Sequence, residues 1–232
     1  MKLSIILCVY NEIRFIDKSF KELYKNCEKK QLEYEILIID NASSDGTKEW
    51  LESLCNEKVI KIFNNKNIGK GGSIKKAINK AVGEYLIIFD PDQEYEIQSI
   101  WDCLDQLKKT NATCVLGSRL LGEKKIYKYA TNYYGVIFLS KLINFLYRTN
   151  LTDTATAIKC FKSDFIKNVP LKSNGFNLDF ELVCRTALLG GKIEEVSVNY
   201  FPRTKKEGKK IKALKDGSQS LIVILRDRFF KI

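Results

Sequence analysis

Along the first half of the chain, short apolar runs alternate with stretches whose apolar positions recur every three or four residues. Positions 3–9, 34–39, 59–63, 85–89 and 113–116 read as strands. Between them, 14–27, 47–54, 73–81 and 98–107 have helical spacing. In the first of these, Phe15, Ile16, Phe20, Leu23 and Tyr24 share one side. Repeated strand–helix units with short connections predict a mostly parallel sheet covered by helices on both faces. The second half is patterned differently. An aromatic-rich helix is expected over 127–147, a strand over 156–161, a helix over 180–189 and a strand over 193–200. A last helix carries Leu214, Leu221, Ile222, Leu225 and Phe229. With no internal repeat and no linker, the pattern predicts a single α/β domain over 1–232 with a C-terminal helical extension.

Composition narrows the chemistry. The chain has 232 residues, 45% of them apolar, and no histidine. Without histidine there is no Ser-His-Asp or Cys-His catalysis and no His-ligated metal. The seven cysteines, at 8, 27, 55, 103, 114, 160 and 184, never stand at Cys-x-x-Cys spacing. An odd, scattered set argues against a disulfide framework and a zinc site, and for a reducing compartment. The opening apolar run is short and lacks a cleavage site, so it reads as a strand rather than a signal peptide. No run reaches the roughly 18–20 apolar residues needed to span a bilayer. The expected location is therefore cytoplasmic. Net charge is +11, and positions 203–232 hold ten Lys or Arg against three acidic residues. That asymmetry points to an anionic partner.

Candidate chemistry gathers at strand ends. Tyr85-Leu86-Ile87-Ile88-Phe89 runs straight into Asp90-Pro91-Asp92, with Glu94 two residues on. Pro91 cannot continue a central strand, so the chain turns out of the sheet there. Such carboxylates either mark the acidic start of a helix or are relieved by a cation, and hard cations such as Mg²⁺ take carboxylate oxygens and bridge to phosphates. Tyr10-Asn11-Glu12 ends the first strand and Asp40-Asn41 the second, with Asp40 placed either to bind a ribose or base edge or to form the turn or cap a helix. The third is followed by Asn67-Ile68-Gly69-Lys70-Gly71-Gly72, neither a Walker A nor a Gly-x-Gly-x-x-Gly motif. Taken alone this loop reads as a turn opening a helix, and its backbone N–H groups and lysine also suit a diphosphate. In a parallel sheet all of these meet Asp90 at one edge.

This ordered series resembles the family 2 glycosyltransferases of the GT-A fold. The resemblance rests on Tyr10-Asn11-Glu12, on Asp40 through Ser44-Asp45-Gly46-Thr47, on Asn67-Ile68-Gly69-Lys70-Gly71-Gly72 and on Asp90-Pro91-Asp92. Within the family the chain is most similar to the dolichol-phosphate-mannose-synthase type of polyprenyl-phosphate glycosyltransferase. That likeness continues through Gly117-Ser118-Arg119, Thr152-Asp153, Gly175-Phe176 and the basic stretch from Pro202-Arg203 to Lys209-Lys210. It implies a nucleotide-sugar-binding half over 1–118 and an acceptor half over 119–232. It implies a donor site at Tyr10, Asn11, Glu12, Asp40, Asn67, Gly69, Lys70 and Gly71. It implies a divalent cation, Mg²⁺ or Mn²⁺, on Asp90, Asp92 and Glu94, with Asp92 the direct ligand. Arg119 and Arg203, helped by Lys209 and Lys210, then meet an acceptor phosphate. Asp179 and Glu181 both fall where relatives carry an acceptor-side carboxylate. There are departures: Cys8 replaces a proline, Pro91 a small residue, and Glu94 stands where the synthases often have Gln.

The resemblance thus implies an inverting, metal-dependent hexosyltransferase moving sugar from a GDP- or UDP-linked donor to a polyprenyl or dolichyl phosphate. The basic C-terminus and the 133–147 and 221–230 segments would then place it peripherally on an anionic membrane surface or against a membrane protein. A transferase acting on a saccharide or protein would instead need Asp179 or Glu181 as a base. A nucleic-acid-binding module lacks any supporting motif, so no nucleic-acid partner is expected. Intact Asp90 and Asp92 argue against a non-catalytic nucleotide binder.

Overall fold

The computed structural model describes residues 2–122, 129–204, 208, 210 and 213–230. The first half folds as β1 (Lys2–Val9), α1 (Ile13–Lys29), β2 (Glu33–Asp40), α2 (Thr47–Ser53), β3 (Val59–Phe63), α3 (Gly69–Lys80), β4 (Tyr85–Ile88), α4 (Gln98–Thr110) and β5 (Cys114–Ser118). The second half adds α5 (Ala130–Tyr147), β6 (Lys159–Lys162), α6 (Ser163–Lys167), α7 (Leu178–Leu188), β7 (Ile193–Ser197) and α8 (Ala213–Phe229). All seven strands join one sheet in the order β3-β2-β1-β4-β6-β5-β7. β6 is antiparallel to both β4 and β5, and every other pairing is parallel.

β1 and β2 are buried along almost their whole length, because helices cover both faces. Alternate residues feed two core layers. Leu3, Ile5, Leu7, Ile36, Ile38 and Ile87 pack with Ile16, Phe20 and Leu23 of α1 and with Ile100, Leu104 and Leu107 of α4. Ile6, Leu37, Ile39, Leu86 and Ile88 face the other way, toward α3, α5, α7 and α8.

The expected elements are present, with shifted bounds. The strand expected over 156–161 is Lys159–Lys162, and its reversed direction carries no pattern of its own. The strand expected to reach 200 ends at Ser197, and Tyr200 forms a lone antiparallel bridge to Tyr95. Helix α6 was not expected. The aromatic-rich helix begins at Ala130, and the start expected at 127 lies outside the described residues.

Topology determines where the site lies. Val9 pairs with Asp40, Asp40 with Phe63, and Ile6 with Ile88. The carboxyl ends of β1 to β4 therefore line one edge. Because β6 runs backwards, β5 and β7 point the same way as β4, which brings Arg119 and the 198–203 segment to that edge. In α/β sheets this is the edge where ligands bind.

Candidate active site

A cleft of about 330 Å³ opens at this edge. Tyr10, Glu12, Asn67, Gly69, Lys70, Asp90, Asp92, Glu94, Arg119, Asp179, Arg203 and Lys210 all line it. Residues from seven separate stretches of chain thus meet in one space.

The loops that form its donor-side wall are built by side-chain-to-backbone hydrogen bonds. Asp45 accepts the N–H groups of Ile13, at 3.1 Å, and Thr47, at 3.0 Å. Thr47 Oγ1 accepts the Glu12 N–H at 2.9 Å, so the Asp-Gly-Thr motif clamps the start of α1 onto the turn after β2. Asp40 is fully buried and folds that turn by accepting the Ser43 N–H at 3.1 Å; it does not line the cleft. Asn11 shapes the neighbouring turn by accepting the Ser44 N–H at 2.8 Å. It is Asn41 that reaches the cleft. Asn41 Oδ1 accepts the Ile68 N–H at 3.0 Å and an Asn64 N–H at 3.2 Å, while its own amide donates to Asn67 Oδ1 at 2.9 Å. This asparagine set holds the glycine loop at the start of α3; from the sequence only Asn67 is assigned to the donor site, although Asn41 is noted at its strand end.

Three non-glycine residues at this edge, Asn11, Ala42 and Gln93, have φ of +51°, +63° and +62°. Such conformations cost roughly 1–3 kcal/mol each where no glycine relieves them, and they cluster at functional sites. Gly69 has φ +80°, and a Cβ there would stand 2.1 Å from Asn174 O. A Cβ on Gly71 would meet Ser173 O at 2.8 Å and Gly175 O at 2.9 Å. Gly71 therefore lets α3 press against the 173–175 loop and does not itself line the cleft.

The charges in the cleft are arranged as interlocked pairs. Lys70 Nζ lies 2.6 Å from Asp90 Oδ2. Arg203 reaches Glu12 Oε2 at 2.9 Å, Asp92 Oδ2 at 2.7 Å and Glu94 Oε1 at 3.7 Å. Lys210 joins Glu12 and the Tyr10 carbonyl. The 200–203 segment is stitched down beside these carboxylates: Phe201 N–H donates to Glu94 O and Arg203 N–H to Glu94 Oε1, both at 2.8 Å. Tyr200 Oη donates to Glu94 Oε2 at 2.8 Å. Burial, with Asp90 and Glu94 close by, pushes Asp92 up to about 7 against the pull of Arg203. Burial also raises Asp90, although Lys70 opposes it. Burial pushes the Cys8 thiol to about 12, which leaves it unsuited to act as a nucleophile.

Among the described residues no three Asp, Glu, Cys or His side chains are preassembled around one point. Asp90 turns to Lys70, while Asp92 and Glu94 turn to Arg203. The donor set nevertheless fits a hard divalent cation. It is all carboxylate oxygen and stands at one cleft wall, and burial raises both aspartates despite their Lys70 and Arg203 partners, a cost that a further cation would relieve.

Arg119 is aimed by Asp153, which accepts from Nε at 2.6 Å and from Nη2 at 2.7 Å. Asp153 is itself positioned by Glu195, which takes its N–H at 2.9 Å. The two carboxylates of α7 separate in space. Asp179 faces the cleft. Glu181 is fully buried away from it, accepting the N–H groups of Lys172 and Ser173 and pairing with Arg185 at 2.9 Å. Lys209 lies outside the described residues. Sequence reasoning missed Tyr95 and Tyr200, which meet at 5.1 Å between ring centres, and Lys159, which contacts Asp179.

A second cavity of about 140 Å³ opens from the first, sharing Arg119, Ala155, Phe176, Asp179 and Tyr200. Gly135, Val136 and Leu139 of α5, with Phe180 and Pro202, make it largely apolar, while Thr131 and Asn132 of α5 and Asp216, Gly217 and Ser220 of α8 add a polar border.

Known proteins resemble this chain in sequence and in fold. The chain is 33% identical over 115 residues to the cholesterol galactosyltransferase of Borreliella burgdorferi, covering 49% of this chain and 31% of that protein. It is 33% identical over 94 residues to the undecaprenyl-phosphate 4-deoxy-4-formamido-L-arabinose transferase of Proteus mirabilis, covering 39% of this chain and 29% of that one. It thus spans less than a third of either relative's length. The glucosyl-3-phosphoglycerate synthase of Mycobacterium tuberculosis, solved with Mn²⁺, uridine diphosphate and phosphoglyceric acid, shares the GT-A fold. Its TM-score is 0.75 at 14% identity, over 100% of this chain and 80% of that one. The sequence model of glycosyl transferase family 2 matches residues 4–169, more than two thirds of the chain. With its strand-end carboxylates and glycine loop in the places described, the chain belongs to glycosyl transferase family 2 and is a glycosyltransferase of the GT-A fold.

Proposed function

We propose that this glycosyltransferase moves a hexose, with inversion, from a GDP- or UDP-sugar to the phosphate of a polyprenyl lipid. The observation that carries the reading is the joining of two unlike cavities at Arg119 and Asp179. The larger, charged cleft suits a sugar diphosphate. The smaller, apolar one suits the first isoprene units of a lipid whose phosphate sits at the junction. The relative from Proteus mirabilis, named for undecaprenyl phosphate, supports a lipid acceptor. A lipid acceptor places the work at a bilayer surface. No helix among the described residues is long and apolar enough to cross a membrane. The outward faces of α5 and α8 suit contact with one instead. Tyr134, Phe138 and Phe145 are exposed on α5, and Leu214, Ile222 and Phe229 on α8. Lys141, Arg148, Lys215 and Arg228 lie among them.

In this reading, Glu12 and the wall set by Asn41 and Asn67 receive the nucleoside, and Lys70 with the start of α3 receives the diphosphate. Asp90, Asp92 and Glu94 hold a divalent cation. When bound, it supplies positive charge to the departing diphosphate. Arg119 and Arg203, with Lys210, hold the lipid phosphate, since a guanidinium fork matches its oxygens. One phosphate oxygen forms the new bond to the anomeric carbon as the bond from that carbon to the diphosphate breaks. The nucleoside diphosphate leaves with that electron pair. A phosphate monoester is already anionic near neutral pH, so no strong base is required.

One observation favours a second reading. Asp179 lines both cavities at their junction, and a carboxylate there suits a base for the hydroxyl of a saccharide acceptor. A transfer assay separates the two. The protein, with Mn²⁺ or Mg²⁺, is offered a panel of GDP- and UDP-sugars and either a polyprenyl phosphate or oligosaccharides. Metal-dependent glycolipid from one donor is expected. Asp92→Ala should lower it by about 10²–10³-fold, the size of losing one electrostatic stabiliser of the transition state. Donor consumption that yields only glycosylated saccharide overturns the lipid reading.

A further inference from the structure

Lys159 lies in β6, between Ile88 of β4 and Leu116 of β5, in the middle of the sheet. It is fully buried, with 0% of its surface exposed. Its ammonium contacts two acceptors, Asp179 Oδ1 at 2.9 Å and the Thr156 carbonyl. Removing a lysine and an aspartate from water costs several kcal/mol per ion, and well-packed apolar residues in their place are often neutral or stabilising. Stability alone therefore gives no reason for this pair. Its geometry does. Asp179 stands where the two cavities meet, and one of its oxygens is tied to a cation anchored in β6, with a strand paired on either side.

We infer that Lys159 is a positioning residue for the transfer reaction, acting through Asp179. It fastens Oδ1 from below the cleft floor and so fixes the plane of the carboxylate and the direction of Oδ2. The reversed strand makes this possible. β6 starts at the catalytic edge, so its first residue sits directly under the junction. The inference rests on the acceptor-side place given to Asp179 above. It does not depend on which acceptor is used.

The test is a double-mutant cycle on the intact protein, followed by release of nucleoside diphosphate from the donor. Single variants Lys159→Met and Asp179→Asn are compared with the double variant, and kcat and donor KM are measured separately. A misplacement of about 1 Å can cost about a hundredfold in rate. Lys159→Met is therefore expected to lower kcat by up to about a hundredfold with donor KM little changed. Placed on Asp179→Asn, it should cost nothing further, because the group it aims is already lost. Lys159→Arg should recover part of the loss by restoring a cation. Should Lys159→Met fail to fold, the double variant, which leaves no uncompensated charge, and Lys159→Arg still decide the matter. Wild-type kcat in Lys159→Met, or losses that multiply in the double variant, overturn the inference and leave the role of Asp179 standing. Wild-type kcat in Asp179→Asn overturns both.

Discussion

At the scale of single residues, the site is decided by what each side chain is tied to. Asp179 and Glu181 are two positions apart on α7, yet only Asp179 reaches the cleft. Spacing could not separate them, because the answer depends on which neighbour takes each one. Asp40 sits at the strand end where it was expected, but its oxygens serve the Ser43 N–H, and Asn41 lines the cleft instead. Gly71 shows the same dependence on the tertiary fold. Its need for a bare Cα comes from the carbonyls of Ser173 and Gly175, about a hundred residues away in sequence. Gly71→Ala should destabilise the protein by about 1–3 kcal/mol, as overpacking of a tight contact does. A fall in the urea midpoint at unchanged slope would show it. An unchanged midpoint would mean that the loop yields freely.

At the scale of elements, the 172–175 loop, α7 and α8 form a mechanical unit beneath the glycine loop. Glu181 ties the loop through the Lys172 and Ser173 N–H groups and pairs with Arg185 and Arg226. Arg185 passes the link to Asp227 of α8 at 3.0 Å. A Gln at 181 keeps the shape and removes the charge. Glu181→Gln is expected to cost about 3 kcal/mol, the low end for breaking a buried pair, because Arg185 keeps Asp227. The measurement is an equilibrium denaturation curve. A cost near zero would mean that the network is dispensable and that the loop is held by packing alone.

At the scale of the whole molecule, charge and exposed apolar surface set the behaviour in solution. Asp153 and Glu181 would both be raised by burial, but Arg119 for the first, and backbone N–H groups with Arg185 for the second, hold them below the ordinary carboxylate range. A folded-state value below the unfolded one means stability that is present at neutral pH. It is lost as pH falls below about 4, through the unfolded and then the folded value. Urea midpoints taken from pH 7 downward should therefore hold steady with respect to these two groups until about pH 4, then drop. Arg119→Met should shrink the drop by removing the partner that depresses Asp153. The exposed faces of α5 and α8 make a separate prediction. Phe145, 82% exposed, and Leu214, 92% exposed, project from helices whose exposed charges, Lys141, Lys215 and Arg228, are all basic. Phe145→Asp with Ile222→Asp should weaken co-sedimentation with vesicles containing anionic lipid and leave donor binding intact. Equal sedimentation of variant and wild type would remove the bilayer as the partner of this face.

Local pattern determined a good deal by itself. Runs such as 3–9, 34–39 and 85–89 are apolar apart from Ser4 and Glu35, as suits a short strand covered on both faces. Given parallel strands, the polar residues just past their ends have to share an edge, so the sequence alone groups Glu12, Asn67, Lys70, Asp90 and Asp92. The ordered motifs named the family for the same reason, since each is a strand end or the turn after it. Other features were left to the tertiary structure. The reversal of β6, the burial of Lys159 under Asp179, the ring pair of Tyr95 and Tyr200 and the capture of Asp92, Glu94 and Glu12 by Arg203 all join residues from distant parts of the chain. Hydrophobic periodicity reports which side of an element is buried, but not which element covers it. A carboxylate's role depends on that partner.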